Sequence, residues 1–309
     1  MNLRFLETFV WLAKLRNFRV TAEKLHTTQA AVSSRIATLE QDFGARLFDR
    51  GSREVTLTQD GTKVLIYAER ILKLAQEMQR EVSDRESISG TVRIGVIEAI
   101  VHSWLPRLIE RIRQEFPKLA IELTSDTTIH LGEQLKKGHL DVILQAESVL
   151  GSAIANVELG RYPMRWIASP RLGIADELLD LLDLAVFPII SFSRDSGPHK
   201  ATVRSFAELP VDAVQINCIN SIAAIIRLAV DGFGVAVVPP AIIQRELLEN
   251  QLRLLKVRQA PPELVLIASY RSGLDSPLAE LIARMAQQVT TEYALVSGPE
   301  MALQPKAQD

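Results

Sequence analysis

Residues 21–50 of the chain read TAEKLHTTQAAVSSRIATLEQDFGARLFDR, and this stretch decides the fold of the N-terminal region. Two short segments with apolar residues at helical spacing are separated by a few polar residues. The second segment starts with small and hydroxyl-bearing side chains, and its apolar positions include Ile36 and Leu39. Such a helix can pack one face inside the protein while its small residues let another surface approach closely.

The neighbouring sequence supports three helices followed by a short hairpin. Thr28 is a good N-cap for the third helix, because its hydroxyl can accept a hydrogen bond from a backbone N–H of the first turn. Gly44 predicts the end of that helix. Residues 45–61, ARLFDRGSREVTLTQDG, then predict two short strands with Gly51 in the turn between them.

Two helices joined by a tight turn suit a helix–turn–helix, whose second helix enters the major groove of DNA. There Gln29 can pair with adenine, Ser33 and Ser34 can contact bases or phosphates, and an arginine can read guanine or hold a phosphate. The alternative is that these side chains are merely polar and solvent-exposed. The candidate DNA-binding residues are Thr28, Gln29, Ala31, Ser33, Ser34 and Arg35, with Arg50 and Arg53 on a following wing.

Composition and charge allow this interpretation without proving it. The chain has 309 residues, 47% of them hydrophobic, and a net charge of −2. Residues 1–58 contain nine basic and six acidic side chains, so a mildly basic head precedes an acidic body. We expect no membrane partner, because no apolar run of about 18 residues occurs. The N-terminus does not resemble a signal peptide, and the single cysteine excludes an intrachain disulfide, so we expect a cytoplasmic protein.

Residues 58–89 predict one long helix. Apolar residues recur along it at alternating spacings of three and four, with charged and amide side chains around them, which is typical of a coiled-coil seam. The pattern favours pairing with a second chain, and packing on the helix's own domain is the alternative. The predicted dimerisation residues are Val64, Ala68, Ile71, Ala75, Met78 and Val82.

From residue 91 onward, strand and helix patterns alternate, which predicts parallel sheets built from βαβ units. Catalytic and cofactor motifs are scarce. The five histidines have no metal-ligand spacing, and we expect neither a metal nor a cofactor. Cys218 could be a nucleophile or, as we expect, a buried inert thiol. Glu98 and His102 could form an acid–base pair, line a ligand pocket or cap a helix.

The stretch from Phe5 to Gly61 resembles the N-terminal domain of LysR-type transcriptional regulators almost from end to end. The marks are TQAAVSSRI, the Leu-Glu pair at 39–40, GARLFDR and VTLTQDG. Further on, RIGV, GHLDVIL and DGFGVAVVPPAI match the effector-binding domain of that family in the right order. Residues 97–100, Ile-Glu-Ala-Ile, depart from the hydroxyl-rich turn that the family often has after its first effector-domain strand.

The resemblance implies a DNA-binding transcription factor that responds to a small organic metabolite and is not an enzyme. Its implied domains are a winged helix–turn–helix at 1–58, a linker helix at 59–89, an α/β effector domain at 90–292 that resembles periplasmic binding proteins, and a flexible tail at 293–309. The effector domain would consist of one subdomain at 91–161 and 266–292 and a second at 162–265. A cleft-based hydrolase and a solute-binding protein remain the alternatives.

The implied partners are double-stranded DNA with an inverted repeat, a small-molecule effector, a second copy in a homodimer or homotetramer, and RNA polymerase indirectly. Small ligands in open α/β folds bind beyond the carboxyl ends of strands and near helix N-termini. The matching positions, taken as candidate effector-binding residues, are Glu98, Ala99, Ile100, His102, Ser103, Ser125, Thr127, Thr128, Gln145, Ser193, Arg194, His199 and Asn220.

Overall fold

The computed structural model describes residues 2–49, 55–82, 88–151, 153–207, 209–210, 214–272 and 277–306. The chain divides into two compact units, residues 1–85 and residues 86–309. Each unit is described below by itself. None of the helices among the described residues has the length and apolar character that crossing a lipid bilayer requires.

The N-terminal unit begins with three helices, α1 (Leu3–Leu15), α2 (Phe18–Lys24) and α3 (Gln29–Phe43). The predicted limits of α3 are confirmed. The hydroxyl of Thr28 accepts a hydrogen bond from the backbone N–H of Ala31 at 3.2 Å. Gly44 ends the helix in the left-handed region, with φ of 62°, where glycine has no steric penalty.

One face of α3 packs into the core of this unit. Val32, Ile36 and Leu39 are buried, as are Phe9 of α1 and Phe48, whose rings meet edge to face at 5.4 Å. Phe48 belongs to β1 (Phe48–Asp49), which pairs in antiparallel fashion with β2 (Thr56–Leu57). The strands therefore occur where the sequence predicts them, and the turn at 50–54 lies outside the described residues.

The long helix α4 spans Gln59–Val82, and residues 83–87 of the predicted helix lie outside the described part. This helix packs against α1, and Lys14 and Glu69 form an ion pair at 3.0 Å. Ala68 and Leu72 are buried within the unit. The prediction that Ala68 faces a second chain is therefore wrong, since its side chain already packs inside its own domain.

The second unit contains two five-stranded sheets. The strands are β3 (Gly90–Val96), β4 (Leu119–Ser125), β5 (Val142–Gln145), β6 (Ile154–Tyr162), β7 (Arg165–Ala168), β8 (Ile189–Ser191), β9 (Ile216–Cys218), β10 (Val235–Val238), β11 (Arg253–Leu254) and β12 (Leu264–Arg271). The first sheet has the order β4-β3-β5-β12-β6 and the second has the order β11-β7-β10-β8-β9. Each sheet has a parallel core, as predicted from the alternating pattern. However, β12 runs antiparallel to both its neighbours, and β7 runs antiparallel to both of its own.

The helices of this unit cover the two sheets and the connections between strands. They are α5 (Glu98–Val101), α6 (Leu105–Glu115), α7 (Thr128–Lys137), α8 (Leu181–Ala185), α9 (Gly197–Ala207), α10 (Ile222–Val230), α11 (Gln244–Leu248) and α12 (Pro277–Ser297). Two short 3₁₀ turns lie at Pro170–Leu172 and Pro240–Ile242. Buried apolar side chains from both sheets form one continuous core, which includes Trp104 and Tyr162.

The chain passes between the two sheets twice, and the two passages are neighbours. The first passage follows β6 and leads into β7, and the second follows β11 and leads into β12. Leu264, the first residue of β12, pairs with Tyr162, the last residue of β6. The two sheets are therefore joined at one shared place rather than at two separated points.

The prediction of a flexible tail is wrong for residues 293–306. Helix α12 continues to Ser297, and Tyr293 and Ala294 are buried. Leu303 forms an isolated antiparallel bridge with Arg161, with backbone hydrogen bonds of 2.9 and 2.8 Å. The C-terminal residues thus extend the cover of β6, although their polar composition suggested no packing.

Candidate functional site

The exposed surface of α3 carries three of the predicted DNA-binding side chains. Gln29, Ser33 and Ser34 are all exposed. Ser34 lies opposite the buried Val32 and Ile36, Ser33 lies beside that buried face, and Gln29 is exposed at the first turn of the helix. Their hydroxyl and amide groups are small donors and acceptors of the kind that contact base edges and phosphates. Thr28 differs from them, since its hydroxyl is engaged as the helix cap.

Arg35 is held by its own domain. Its Nη1 donates a hydrogen bond to the hydroxyl of Thr8 at 3.1 Å, and Thr8 is fully buried in α1. The Thr8 hydroxyl in turn donates to the carbonyl of Arg4 at 2.7 Å. Arg35 therefore ties α3 to α1 through one of its N–H groups, and its contact with DNA stays a prediction. Ala31 is half-buried, and Arg50 and Arg53 lie outside the described residues.

In the second unit, the parallel strands of both sheets end at one cleft with a volume of about 310 Å³. The residues that follow β3, β4 and β5 line one side of it, and those that follow β8 and β9 line the other. This is where ligands bind in open α/β folds, because loops and helix N-termini converge there. A larger but shallow depression lies along α6 and gathers none of these strand ends.

Seven of the predicted effector residues line this cleft: Glu98, Ala99, Ser125, Thr127, Thr128, Ser193 and Asn220. The sequence reasoning missed Glu147, Phe192 and Asp195, which line it as well. Each of these three follows the end of β5 or β8 within four residues. The strand-end rule would have found them if every residue after each strand had been included.

A carboxylate crosses the cleft from one wall to the other. Glu98, at the start of α5, accepts a hydrogen bond from the backbone N–H of Ile222, the first residue of α10. The hydroxyl of Ser221, the N-cap of α10, also donates to Glu98 at 3.4 Å. The negative charge lies at the positive end of the α10 dipole, which is a favourable position for it.

Three predicted effector residues are used by the fold instead. Ile100 is fully buried in the core. The Ser103 hydroxyl accepts a hydrogen bond from the Tyr162 hydroxyl at 2.6 Å and donates to the carbonyl of Ala99 at 2.8 Å. Gln145 is fully buried, and its Nε2 donates to the carbonyl of Glu147. These side chains point into the protein, so their assignment to the cleft lining is wrong.

His102 and Arg194 do not line the cleft either. His102 is exposed and lines a separate depression next to α10 and α11, so it does not share a site with the Glu98 carboxylate. Arg194 is exposed in the loop after β8. Of the alternatives for Glu98 and His102, the acid–base pair is not formed, because Glu98 reaches across the cleft to α10.

His199 is buried beneath the start of α9, where its Nδ1 lies 3.2 Å from the Ser191 hydroxyl. Burial is the main cause that lowers the pKa of His199, with Arg194 lowering it further and Asp195 acting in the opposite direction. Cys218 lies 3.6 Å from the same ring nitrogen and is exposed, so its prediction as a buried thiol is wrong. Within the described residues, no group of three or more His, Cys, Asp and Glu side chains is arranged to hold a metal ion.

Comparison with known proteins identifies the family to which this architecture belongs. Residues 3–62 match the bacterial regulatory helix–turn–helix of the lysR family, and residues 85–291 match the LysR substrate-binding domain. The chain is 28% identical over 310 residues to a hydrogen peroxide-inducible genes activator of Dickeya chrysanthemi, covering 96% of this chain and 97% of that protein. It is also 28% identical to the transcriptional regulator BenM of Acinetobacter baylyi, over 77% of this chain and 80% of BenM.

The fold agrees with these matches. The crystal structure of full-length BenM superposes with a TM-score of 0.55 and 25% identity, covering 97% of this chain and 99% of BenM. A helix–turn–helix joined to a two-sheet ligand domain defines a ligand-responsive transcription regulator. The chain belongs to the LysR family: it is a DNA-binding transcription factor that regulates transcription in response to a small-molecule effector.

Proposed function

We propose that α3 is the recognition helix and that Gln29, Ser33 and Ser34 read the major groove. The observation that carries this proposal is that these three polar side chains are exposed on the first two turns of α3, while its buried apolar residues anchor the helix in the core. Small side chains on the early turns allow the helix backbone to come close to the base edges. Arg35 acts indirectly in this proposal, by holding α3 in place through Thr8.

The effector occupies the cleft between the two sheets in this proposal. The hydroxyls of Ser125, Thr128 and Ser193 and the amide of Asn220 can hydrogen-bond a small molecule there. Because the two chain connections between the sheets lie side by side, a ligand that contacts both walls can favour one angle between the sheets over another. That bias alters the geometry of the DNA-bound assembly and, through it, the access of RNA polymerase to the promoter.

Self-association through α4 completes the proposed active form. Tyr67, Leu74 and Met78 expose 64%, 67% and 60% of their surface on this helix. With the half-buried Ile71, their spacing of four, three and four residues forms an apolar seam. This seam retains Ile71 and Met78 of the sequence prediction and replaces the buried Ala68. Val64 and Ala75 are half-buried, and the side chain of Val82 lies outside the described residues.

A homodimer, or a tetramer made from two dimers, then presents two α3 helices to an inverted repeat. The protein acts in the cytoplasm, where it meets its DNA partner, and it performs no catalysis. The separation of Glu98 from His102 supports a binding role for the cleft over a hydrolase, and the matching curated relatives named above are regulators. The DNA-binding head opposes the alternative of a plain solute-binding protein.

The decisive test is sequence-selective DNA binding by the full-length chain. Fluorescence anisotropy with the promoter region beside its own gene is expected to give tighter binding than a scrambled duplex, with an affinity that falls as salt rises. The double variant Gln29→Ala with Ser33→Ala should lose about tenfold or more in affinity for the promoter, because each specific base contact contributes about 1–3 kcal/mol. Gln41→Ala, an exposed glutamine further along α3, is the matched control and should bind as the wild type does. Equal binding to promoter and scrambled DNA would contradict the proposal.

A further inference from the structure

The charged side chains that line the cleft are all acidic. Among the described residues, Glu98, Asp126, Glu147 and Asp195 line it, and no lysine, arginine or histidine does. The first three belong to the wall after the first sheet and Asp195 belongs to the opposite wall. The rest of the lining is apolar or uncharged and includes Phe192 and several hydroxyls. A ligand therefore meets negative charge from both sides.

Three helix N-termini, those of α7, α9 and α10, also face this cleft, and these are the elements that would attract an anion. At the start of α7, Asp126 accepts the backbone N–H of the N-cap residue. The starts of α9 and α10 are likewise approached by carboxylates of the chain itself. Glu98 accepts the N–H of Ile222 at the start of α10. The Glu147 Oε1 lies 3.3 Å from the position that a Cβ on Gly197 would take, at the first residue of α9. An anionic effector would have to displace these groups in order to use any of these helix termini.

Few positive groups lie close enough to offset the negative charge of the other acidic side chains in the cleft. Asp126 accepts the N–H of Thr127 at 2.7 Å and lies 3.1 Å from Nδ1 of His130, whose side chain is 63% exposed. Among the described residues, Glu147 and Asp195 take part in no salt bridge, and Asp195 acts electrostatically on the buried His199. Each helix terminus corresponds to roughly half a positive charge, so three of them offset about one and a half of the four carboxylate charges. The cleft therefore keeps a net negative charge that becomes costly when a ligand excludes water from it.

One buried acceptor lies beside the same wall. The Oε1 of Gln145 has no hydrogen-bond partner within the described residues, although the side chain is fully buried. Gln145 ends β5 and is followed by Ala146 and Glu147, which line the cleft. Gln145 itself does not line the cleft, so the acceptors that a ligand meets there include the carboxylates, which require hydrogen-bond donors.

We propose that the effector is a compact organic cation with one or two ammonium or guanidinium groups. Glu147 and Asp195 pair with its charge, and Phe192 packs against its carbon chain. Glu98 keeps its hydrogen bonds to α10 when the cation binds. A cavity of about 310 Å³ suits a molecule of the size of a small diamine or a basic amino acid. This inference rests on the proposed function only in taking the cleft as the effector site.

The test compares ligands of equal length and opposite charge on the full-length protein. One panel contains the linear diamines from diaminopropane to diaminohexane, agmatine, lysine and arginine. The matched panel contains the dicarboxylates from malonate to adipate. Binding is measured by thermal shift and then by titration calorimetry, since a ligand that binds the folded state raises Tm by an amount that grows with the logarithm of its concentration above Kd. At least one cation is expected to raise Tm, and the dicarboxylates are expected to leave it unchanged.

Variants then locate the binding site. Glu147→Gln with Asp195→Asn should weaken the best cation by about tenfold or more, which corresponds to about 1.4 kcal/mol. Glu133→Gln, an exposed carboxylate on α7 that does not line the cleft, is the matched control and should leave the affinity unchanged. A dicarboxylate that binds more tightly than every cation, a cation that binds the double variant as well as the wild type, or no binding by any cation overturns the inference.

The two proposals fail separately. Promoter binding by the protein without ligand tests the regulator alone. If that binding is selective and the cation panel gives nothing, the inference about the effector is wrong and the proposed function stands. If a cation binds and the double variant weakens it while promoter binding is absent, the ligand class is right and the proposed mode of DNA recognition is wrong.

Discussion

Glu98 and Ile222 join the two walls of the effector cleft, since the carboxylate of the first accepts the backbone N–H of the second. Glu98 follows β3 of the first sheet, whereas Ile222 begins α10 above the second sheet. The contact therefore adds a hydrogen bond across the cleft to the shared core and the paired ends of β6 and β12, which also join the two sheets.

The first prediction concerns this contact. We expect Glu98→Gln to lower the stability of the second unit by about 1–2 kcal/mol, because a neutral amide interacts less well with the α10 N-terminus. For a unit of this size, Tm should fall by about 2–4 °C for each kcal/mol. Calorimetry on the ligand-free protein measures the change. Glu133→Gln should stay within about 0.5 kcal/mol of the wild type, and an equal Tm for both variants would refute the role of Glu98.

The second prediction concerns the link between α3 and α1. Thr8→Val and Arg35→Gln should each destabilise the N-terminal unit by about 1 kcal/mol, since each removes the same hydrogen bond. The double variant should cost less than the sum of the two single variants, with a coupling of about 0.5–1.5 kcal/mol. Urea unfolding measures these values. Arg19→Gln, which disrupts an exposed ion pair with Glu23, serves as the control and should have little effect. If the losses in the free energy of unfolding of the two single variants simply added up in the double variant, the contact would be contradicted.

The third prediction compares two glycines. A Cβ on Gly234 would lie 2.0 Å from the carbonyl oxygen of Pro188, and backbone cannot move away cheaply. Gly234→Ala should therefore destabilise the second unit by about 3 kcal/mol. Gly132, within α7, has space for a Cβ at 3.6 Å from Val149, so Gly132→Ala should be neutral or stabilise by up to about 1 kcal/mol. Thermal unfolding measures the stability of both variants. A lower Tm for Gly132→Ala than for Gly234→Ala would contradict the prediction.

The fourth prediction concerns pH. Burial lowers the pKa of His199 below its ordinary value of 6.5, so the folded state binds fewer protons than the unfolded state as pH falls. The contribution of neutral His199 to the free energy of unfolding is therefore fully present above pH 6.5 and is lost progressively below it. Tm measured from pH 8 to pH 5 should fall more steeply for the wild type than for His199→Gln, in which this group cannot titrate. Parallel curves for the two proteins would show that His199 does not contribute.

The sequence predicted the N-terminal unit closely because its signals are local. Thr28 caps α3 by bonding to a residue three positions away, and Gly44 ends the helix through its own φ angle. The alternation of strands and helices after residue 91 likewise follows from periodicity within each segment. The antiparallel direction of β12 was not accessible in this way, since it depends on the return of the chain from the second sheet.

The cleft was predicted only in part, for a physical reason. A residue that follows a strand can turn toward the ligand or back into the core, and its distant neighbours decide which. Ser103 turns inward because the Tyr162 hydroxyl, 59 positions away, meets it there. Leu303 packs because Arg161 offers an unpaired backbone edge. Such partners lie far apart in sequence, so no local sequence pattern predicts them.

The pairing of Tyr162 with Leu264 has a mechanical consequence. Two connections that lie side by side form a two-stranded hinge, the kind of element about which domains close on a ligand. A ligand that changes the closure of the cleft would therefore rotate one sheet relative to the other about this pair of connections.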